Sequence, residues 1–336
     1  MKQLSSKTLS ALILLPLMLL IASMLSLSIG EVEIPFGNIL DTFNNPDSME
    51  YAVLKYIRVP RTLLAITIGG SLSLSGVILQ GIYRNPLVEP YTLGISGGAS
   101  LGITFAIISG LFAMNAVALP VAGFIGAFAT IFLVYTLSVR KGMVSISRML
   151  LIGVMISFIS SAVVMFLMSI TAVENIHGIV FWTMGSLNET NTALIYGMVI
   201  ISLAVLLLSY LFVGPLNVLR LGETKAKHLG INTQTTIRFL FLLTSLLTGT
   251  CIAVGGVIGF VGLIIPHVTR LWIGTDYRSL LFASFFSGGI FLLLCDIVAR
   301  TIIAPNELPI GVITGIVGGI AFIAILSRPS SNSKIM

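Results

Sequence analysis

The sequence predicts an all-α membrane protein that crosses the bilayer about ten times. Three observations predict it. Hydrophobic residues make up 56% of the 336-residue chain and charged residues only 9%, against about 25% charged in soluble domains. Apolar runs of about 20 residues recur along the whole length, each long enough to cross a hydrocarbon core of roughly 30 Å. The runs are continuous rather than alternating, so helices, not barrel strands, satisfy the backbone in lipid.

Spans are expected near 8–29, 62–82, 91–112, 116–138, 147–169, 191–213, 237–255, 257–271, 279–300 and 309–327. The first resembles a signal peptide, with Lys2 and Lys7 ahead of the apolar run. It is long for one and ends in no clear small-residue cleavage site, so it reads as a retained helix. The second and third lie in the stretch from Arg58 to Gly102, which is too apolar for a soluble surface and too rich in Gly and Ser for a plain lipid anchor. Closely packed helices with a structured turn at 84–87 fit it, and they point to a polytopic transporter.

The seventh and eighth spans are separated only by Gly255-Gly256, and charge tests whether they are two. With the N-terminus inside, ten spans leave Lys55, Arg58, Arg61 and Arg300 outside and the other 14 Lys and Arg in the cytoplasm. Fusing the pair gives a split of 11 to 7. The positive-inside rule therefore favours ten spans with both termini cytoplasmic. The chain reads as a single permease domain, 1–336, with an external loop at 30–57 and a cytoplasmic segment at 214–236. Its net charge of +6 is distributed over loops rather than gathered in a nucleic-acid-binding patch.

Several chemistries are excluded or outweighed. No G-x-x-x-x-G-K-[ST] loop is present, so any ATP hydrolysis belongs to another subunit. The three histidines are scattered, the 13 methionines form no cluster, and no metal site is expected. Both cysteines, Cys251 and Cys295, sit in apolar runs as small hydrophobes. Asp296 is the one carboxylate near a span interior, which argues against a proton- or sodium-coupled secondary carrier. Gly94-Ile95-Ser96-Gly97-Gly98 matches the nucleophile elbow G-x-S-x-G of a serine hydrolase. No histidine has an evident claim on Ser96. Helix packing explains the glycines, as it does in Gly98-x-x-x-Gly102 and Gly311-x-x-x-Gly315-x-x-x-Gly319.

Between the sixth and seventh spans, Pro215 is expected to stop the helix. Leu219, Leu221, Ala226 and Leu229 then form a short apolar stripe beside Glu223, Lys225 and Lys227. An amphipathic helix under the membrane that docks into a partner's groove fits this pattern, and so does an interfacial helix with no partner.

Several separate motifs keep order and spacing from about Gly30 to Arg328. They are Arg58-x-Pro-Arg61, Ser75-Gly76-x-x-x-Gln80, Asn85-Pro86-Leu87-x-x-Pro90-x-x-Leu93-Gly94 and Leu221-Gly222-Glu223-x-x-Ala226-x-x-Leu229-Gly230, followed by Gly259-Phe260-Val261-Gly262-Leu263-Ile264-x-Pro266-His267-x-x-Arg270, Asp276-x-Arg278, Asp296-Ile297-Val298-Ala299-Arg300 and Leu308-Pro309-x-Gly311. In these the chain resembles the FecCD/BtuC-type permeases, the membrane subunits of ABC importers for iron–siderophores, haem, vitamin B12 and related chelates. Tyr277, Cys295 and Ile320 depart from the residues commonest in that family.

The resemblance implies a ten-helix subunit in the plasma or inner membrane of a bacterium or archaeon. It implies a homodimer with a pore on its axis, two cytoplasmic ATPase subunits and an external substrate-binding protein. ATP and magnesium would be used by the partner, and this chain would hold no cofactor. Leu221, Gly222, Glu223, Ala226, Leu229 and Gly230 would form the coupling helix in the ATPase cleft. Arg58, Arg61 and Arg300 would meet acidic residues of the binding protein, against the simpler reading of headgroup anchors. Ile146 and Ser147 would stand at the cytoplasmic gate. Gln80, Asn85, Pro86, Gly94, Pro266, His267 and Arg270 would be structural. An iron–siderophore is the expected cargo, with haem, cobalamin and molybdate as other candidates.

Overall fold

Every expected span becomes a helix, and the order of the chain sets their arrangement. The computed structural model describes residues 6–111, 115, 117–140 and 142–327. Lys2, Lys141, Arg328 and Lys334, used in the charge count, lie outside the described residues. So do residue 112 at the end of the expected third span and residue 116 at the start of the fourth, and the side chain of Lys7. The α-helices in order are α1 (Ser6–Ser28), α2 (Ile39–Phe43), α3 (Met49–Val53), α4 (Val59–Tyr83), α5 (Ile95–Ile108), α6 (Ala118–Ser138), α7 (Ile146–Ile170) and α8 (Val173–Thr183). They continue with α9 (Thr192–Ser209), α10 (Val213–Leu219), α11 (Glu223–His228), α12 (Thr233–Gly255), α13 (Val261–Ile273), α14 (Tyr277–Thr301) and α15 (Ile310–Leu326). A short antiparallel hairpin, β1 (Val139–Arg140) against β2 (Met143–Val144), lies between α6 and α7.

Among the described residues, seven helical stretches are long and apolar enough to cross a membrane, and α5, α13 and α15 are shorter apolar helices. Together they match the ten expected spans. The boundaries differ in three places. The external segment 30–57 is partly helical, and a π-helical turn at Leu54–Arg58 joins α3 to α4 in one stretch from Met49 to Tyr83. Pro215 does not stop the sixth span. It falls in the first turn of α10, where proline lacks no needed donor, and the stretch runs on to Leu219. The helix α8 was not expected, because its 11 residues are too few to cross a bilayer.

At the centre stands α4, with 20 of its 25 residues buried. It packs against α14, α12, α13 and α9. Its Gly/Ser content allows this, since a helix surrounded by helices must let their backbones approach. Gly69 faces Gly288 of α14 and Gly76 faces Gly262 of α13, each so closely that an added Cβ would strike the opposing carbonyl. Gly98 and Gly102 likewise pack α5 on α6, through Gly126 and Ala122. On α15 the expectation holds only for Gly311, against Met184 and Val257. Gly315 meets nothing within 4 Å, and the close contact there is Gly318 on Phe260.

The break between α12 and α13 is the least ordinary part of the fold. Phe260 has φ +68° and the 256–260 segment is not helical, yet it is enclosed by the protein rather than set in a surface loop. Such backbone is tolerated at membrane depth only when its polar groups find partners. Two side chains supply them here, and a third serves the first turn of α13. Tyr91 accepts from the Ile258 amide at 3.1 Å, and Glu89 accepts from the Phe260 amide at 3.3 Å. Gln80 donates to the carbonyls of Gly262 and Leu263 at 3.3 and 3.4 Å. Arg270 then donates to Gln80 at 3.1 Å. Gln80 and the turn that follows Asn85-Pro86 thus serve the backbone of a distant helix break.

Candidate coupling site and outer arginine cluster

On the face the charge count assigns to the cytoplasm, α11 hangs between the ends of α10 and α12. Gly222 makes it possible. Its φ of +108° with ψ of 151° is open only to glycine, and it turns the chain sharply between Leu221 and Glu223. The turn divides the expected apolar stripe in two. Leu219 and Ala226 are buried, whereas Leu221 and Leu229 are 57% and 62% exposed on either flank of α11. Gly230, at φ +81°, ends the helix.

Glu223 faces inward from this helix. Its Oε1 accepts from Gln234 Nε2 at 3.2 Å and Thr233 Oγ1 at 3.3 Å, and it pairs with Lys227 at 3.2 Å. Burial alone would raise its pKa, but the bonds from Lys227, Gln234 and Thr233 outweigh that and hold the carboxyl below its ordinary value. It is therefore charged at neutral pH.

Beside Glu223 opens a cavity of about 600 Å³. Its lining includes Ile146 and Ser147 together with Arg84, Arg140 and Arg148. The structure thus brings the expected gate residues and the expected coupling carboxylate to one cavity. Ile146 and Ser147 open α7, directly after β2.

The other motif residues have local duties. Asn85 accepts from the Leu87 amide at 2.9 Å and Pro86 is exposed, so they shape an exposed turn. Gly94, at φ +82°, starts α5 against Gly153 of α7. Pro266 is buried in α13 and His267 is half-buried beside it. Asp276 caps α14, accepting from the Arg278 amide at 3.0 Å and from Asn217 at 2.9 Å.

At the opposite end the structure departs from the expected picture of surface cations. Arg58, Arg61 and Arg300 are only 3%, 5% and 8% exposed, so they are not free charges offered to a partner. Arg58 donates to the carbonyls of Leu27, Ser28 and Val32, and Arg300 to those of Ser26 and Ile29. Most of these carbonyls end α1, where helix geometry leaves them without intrahelical partners and the helix dipole favours a cation. Arg61 bonds Asp296 at 2.6 Å, Asn188 at 2.5 Å and Glu307 at 2.7 Å, and Arg300 pairs with the second Asp296 oxygen at 3.0 Å. Glu307, with 38% of its side chain exposed, is the outermost member. Burial would raise its carboxyl, but Arg61 and Asn188 hold it below its ordinary value.

Sequence reasoning missed Gln234, Glu89, Asn188 and the pairing of Glu307 with Arg61. Glu89 lies inside a quoted motif, and its acidic type was the available signal. Partners 127 and 246 residues from Arg61 leave no local pattern. Ser96 has no histidine bonded to it among the described residues, and no group of three His, Cys, Asp or Glu gathers there as a metal site.

Ten apolar helices among the described residues, one of them a buried Gly/Ser-rich helix at the centre, with an exposed apolar-flanked turn at one end and a charge cluster at the other, define a polytopic membrane transport subunit. The chain belongs to the FecCD transport family, whose pattern matches residues 18–328. It is a transport component rather than an enzyme. It is 37% identical over 315 residues to the hemin transport system permease protein HmuU of Yersinia pestis, covering 93% of each chain. Over 314 residues it is 36% identical to the vitamin B12 import system permease protein BtuC of Klebsiella pneumoniae, covering 94% of this chain and 92% of that one. Among solved structures it is similar to an inward-facing putative metal-chelate type ABC transporter, with a TM-score of 0.85 and 33% identity over 95% of this chain and 99% of the other.

Proposed function

We propose that this protein is the membrane-spanning permease of a binding-protein-dependent ABC importer that carries a bulky metal chelate inward. The observation that carries the reading is α11. It is a six-residue helix whose two flanking leucines are exposed while its carboxylate is bonded back toward the gate cavity. An apolar-flanked helix at the membrane surface suits a groove on a partner. ATP binding and hydrolysis occur on that partner, with its own magnesium, and this chain supplies only the path and the moving contact.

The permease works as a homodimer in the plasma or inner membrane, with both termini cytoplasmic. Little of α7 is buried in the single chain, only Met149, Gly153, Ser160 and Val164, which leaves a face for a second copy and a pore. Iron–siderophores are the favoured cargo. Hemin and vitamin B12 are the solutes named for the relatives, and molybdate is the smaller alternative.

The test is to purify the tagged protein in detergent and reconstitute what accompanies it with a loaded binding protein. One ATPase per permease, and uptake that requires ATP on the cytoplasmic side, are expected. Ferric siderophores, hemin, cobalamin and molybdate compared as labelled cargo then assign the solute. Uptake by the chain alone, driven by an ion gradient without ATP, would overturn the importer reading in favour of a secondary carrier.

A further inference from the structure

Gln234 stands where three separate pieces of the cytoplasmic face meet. It is the second residue of α12. Its Oε1 accepts from the Val144 amide at 2.8 Å, and its Nε2 lies 3.5 Å from the Val144 carbonyl. The same Nε2 donates to Glu223 Oε1 at 3.2 Å. One turn further along α12, Arg238 donates to the Gly142 carbonyl at 2.5 Å. The hairpin of β1 and β2 is thus held to α12 by its backbone at two points. The coupling helix is held to the hairpin through Gln234.

We infer that Gln234 is the positioning residue that transmits movement of α11 to the gate, through Glu223, Gln234 and Val144 to Ile146 and Ser147. Two features of the geometry support this. Val144 is 5% exposed and lies two residues before Ile146, so a shift of its backbone is carried straight into the first turn of α7. The side-chain amide is also the one group here that can accept from Val144 while donating to Glu223. A carboxylate cannot donate, and a lysine or arginine cannot accept.

The link is separable from the stability of the pieces it joins. Without Gln234, Glu223 keeps Lys227 and Thr233, and Val144 keeps its register against Val139. Arg238 still holds Gly142. Removing the amide therefore cuts the direct link between α11 and the hairpin while each stays bonded to α12. Contiguous hydrogen-bonded groups carry coupling when they join elements with two arrangements, and the gate and the coupling helix of an alternating-access permease are such elements. The inference rests on the importer reading above.

The experiment measures cargo transported per ATP hydrolysed in vesicles containing the whole complex, with loaded binding protein present. Gln234→Ala is expected to co-purify with the ATPase at the wild-type ratio. Its transport per ATP should fall about tenfold, within the roughly 5–150-fold range of coupling between sites. Gln234→Glu should fall further, since two carboxylates then face each other. The swap Glu223→Gln/Gln234→Glu restores a donor opposite an acceptor while position 234 still accepts from Val144, so it should recover most of what Gln234→Glu loses. A purely structural role would give no such recovery. Wild-type transport per ATP in Gln234→Ala, or a swap no better than Gln234→Glu, would overturn the relay. A wild-type chain that brings no ATPase with it would instead sink the importer reading and the relay together.

Discussion

Arg61 and Glu307 belong to the same ion pair but contribute differently to the fold. Arg61 is 5% exposed and makes charge-assisted bonds to Asp296, Asn188 and Glu307, whereas 38% of the Glu307 side chain remains exposed. Removing one partner of a buried pair strands the other charge and costs about 3–5 kcal/mol. Breaking a half-exposed pair typically costs under about 1 kcal/mol. Arg61→Ala should therefore lower the thermal unfolding temperature in detergent sharply, and Glu307→Gln only slightly. Equal melting of Arg61→Ala and wild type would show that Asp296 is satisfied by Arg300 alone. The sequence made the three arginines visible as rare external cations within motifs. It could not show that they face inward, because apart from Asp296 one turn before Arg300 their partners lie far off in the chain, on α1, on α14 and in the loops at 188 and 307.

The same contrast between local and distant information runs through the helices. Apolar length alone revealed nearly every span, since crossing a hydrocarbon core demands it. The interruption between α12 and α13 was legible as Gly255-Gly256 and in the charge count. Its enclosure by Gln80, Glu89 and Tyr91 was not, because those residues lie some 170–180 positions away. Packing of α4 against α13 through Gly76 and Gly262 can be tested directly. A methyl added at Gly76 strikes the Gly262 carbonyl, which is backbone and cannot rotate aside. Gly76→Ala should then cost at least the roughly 1–3 kcal/mol of an overpacked core and displace α13. Gly197, inside α9, has no atom within 4 Å of an added Cβ. Gly197→Ala should raise stability by about 0.5–1 kcal/mol, since glycine is the poorer helix former. Detergent unfolding of both variants checks the pair, and a destabilised Gly197→Ala together with a neutral Gly76→Ala would reverse the packing assigned here.

Across the whole molecule, α4 connects the two charged ends. Its 25 residues span about 37 Å at roughly 1.5 Å per residue, from Arg61 near one end to Arg84 just past the other. A binding protein on the outside and an ATPase on the inside would act at opposite ends of this buried helix. Docking through the outer arginines then has a specific requirement, because their charges are already engaged. Incoming carboxylates must replace Glu307, the accessible carboxylate of the cluster, which Arg61 keeps ionised at neutral pH. Three arginines against Asp296 and Glu307 leave one net positive charge, and Glu307→Gln leaves two without disturbing the buried Asp296 pairs. That variant should capture an acidic-surfaced binding protein faster than wild type at low salt. The two should converge as salt rises, since steering by exposed charge is screened over roughly 10 Å at 0.1 M. Association rates at two ionic strengths measure it. A Glu307→Gln rate equal to wild type at low salt would make the cluster an internal clamp on α1 and place binding-protein docking elsewhere on the outer face.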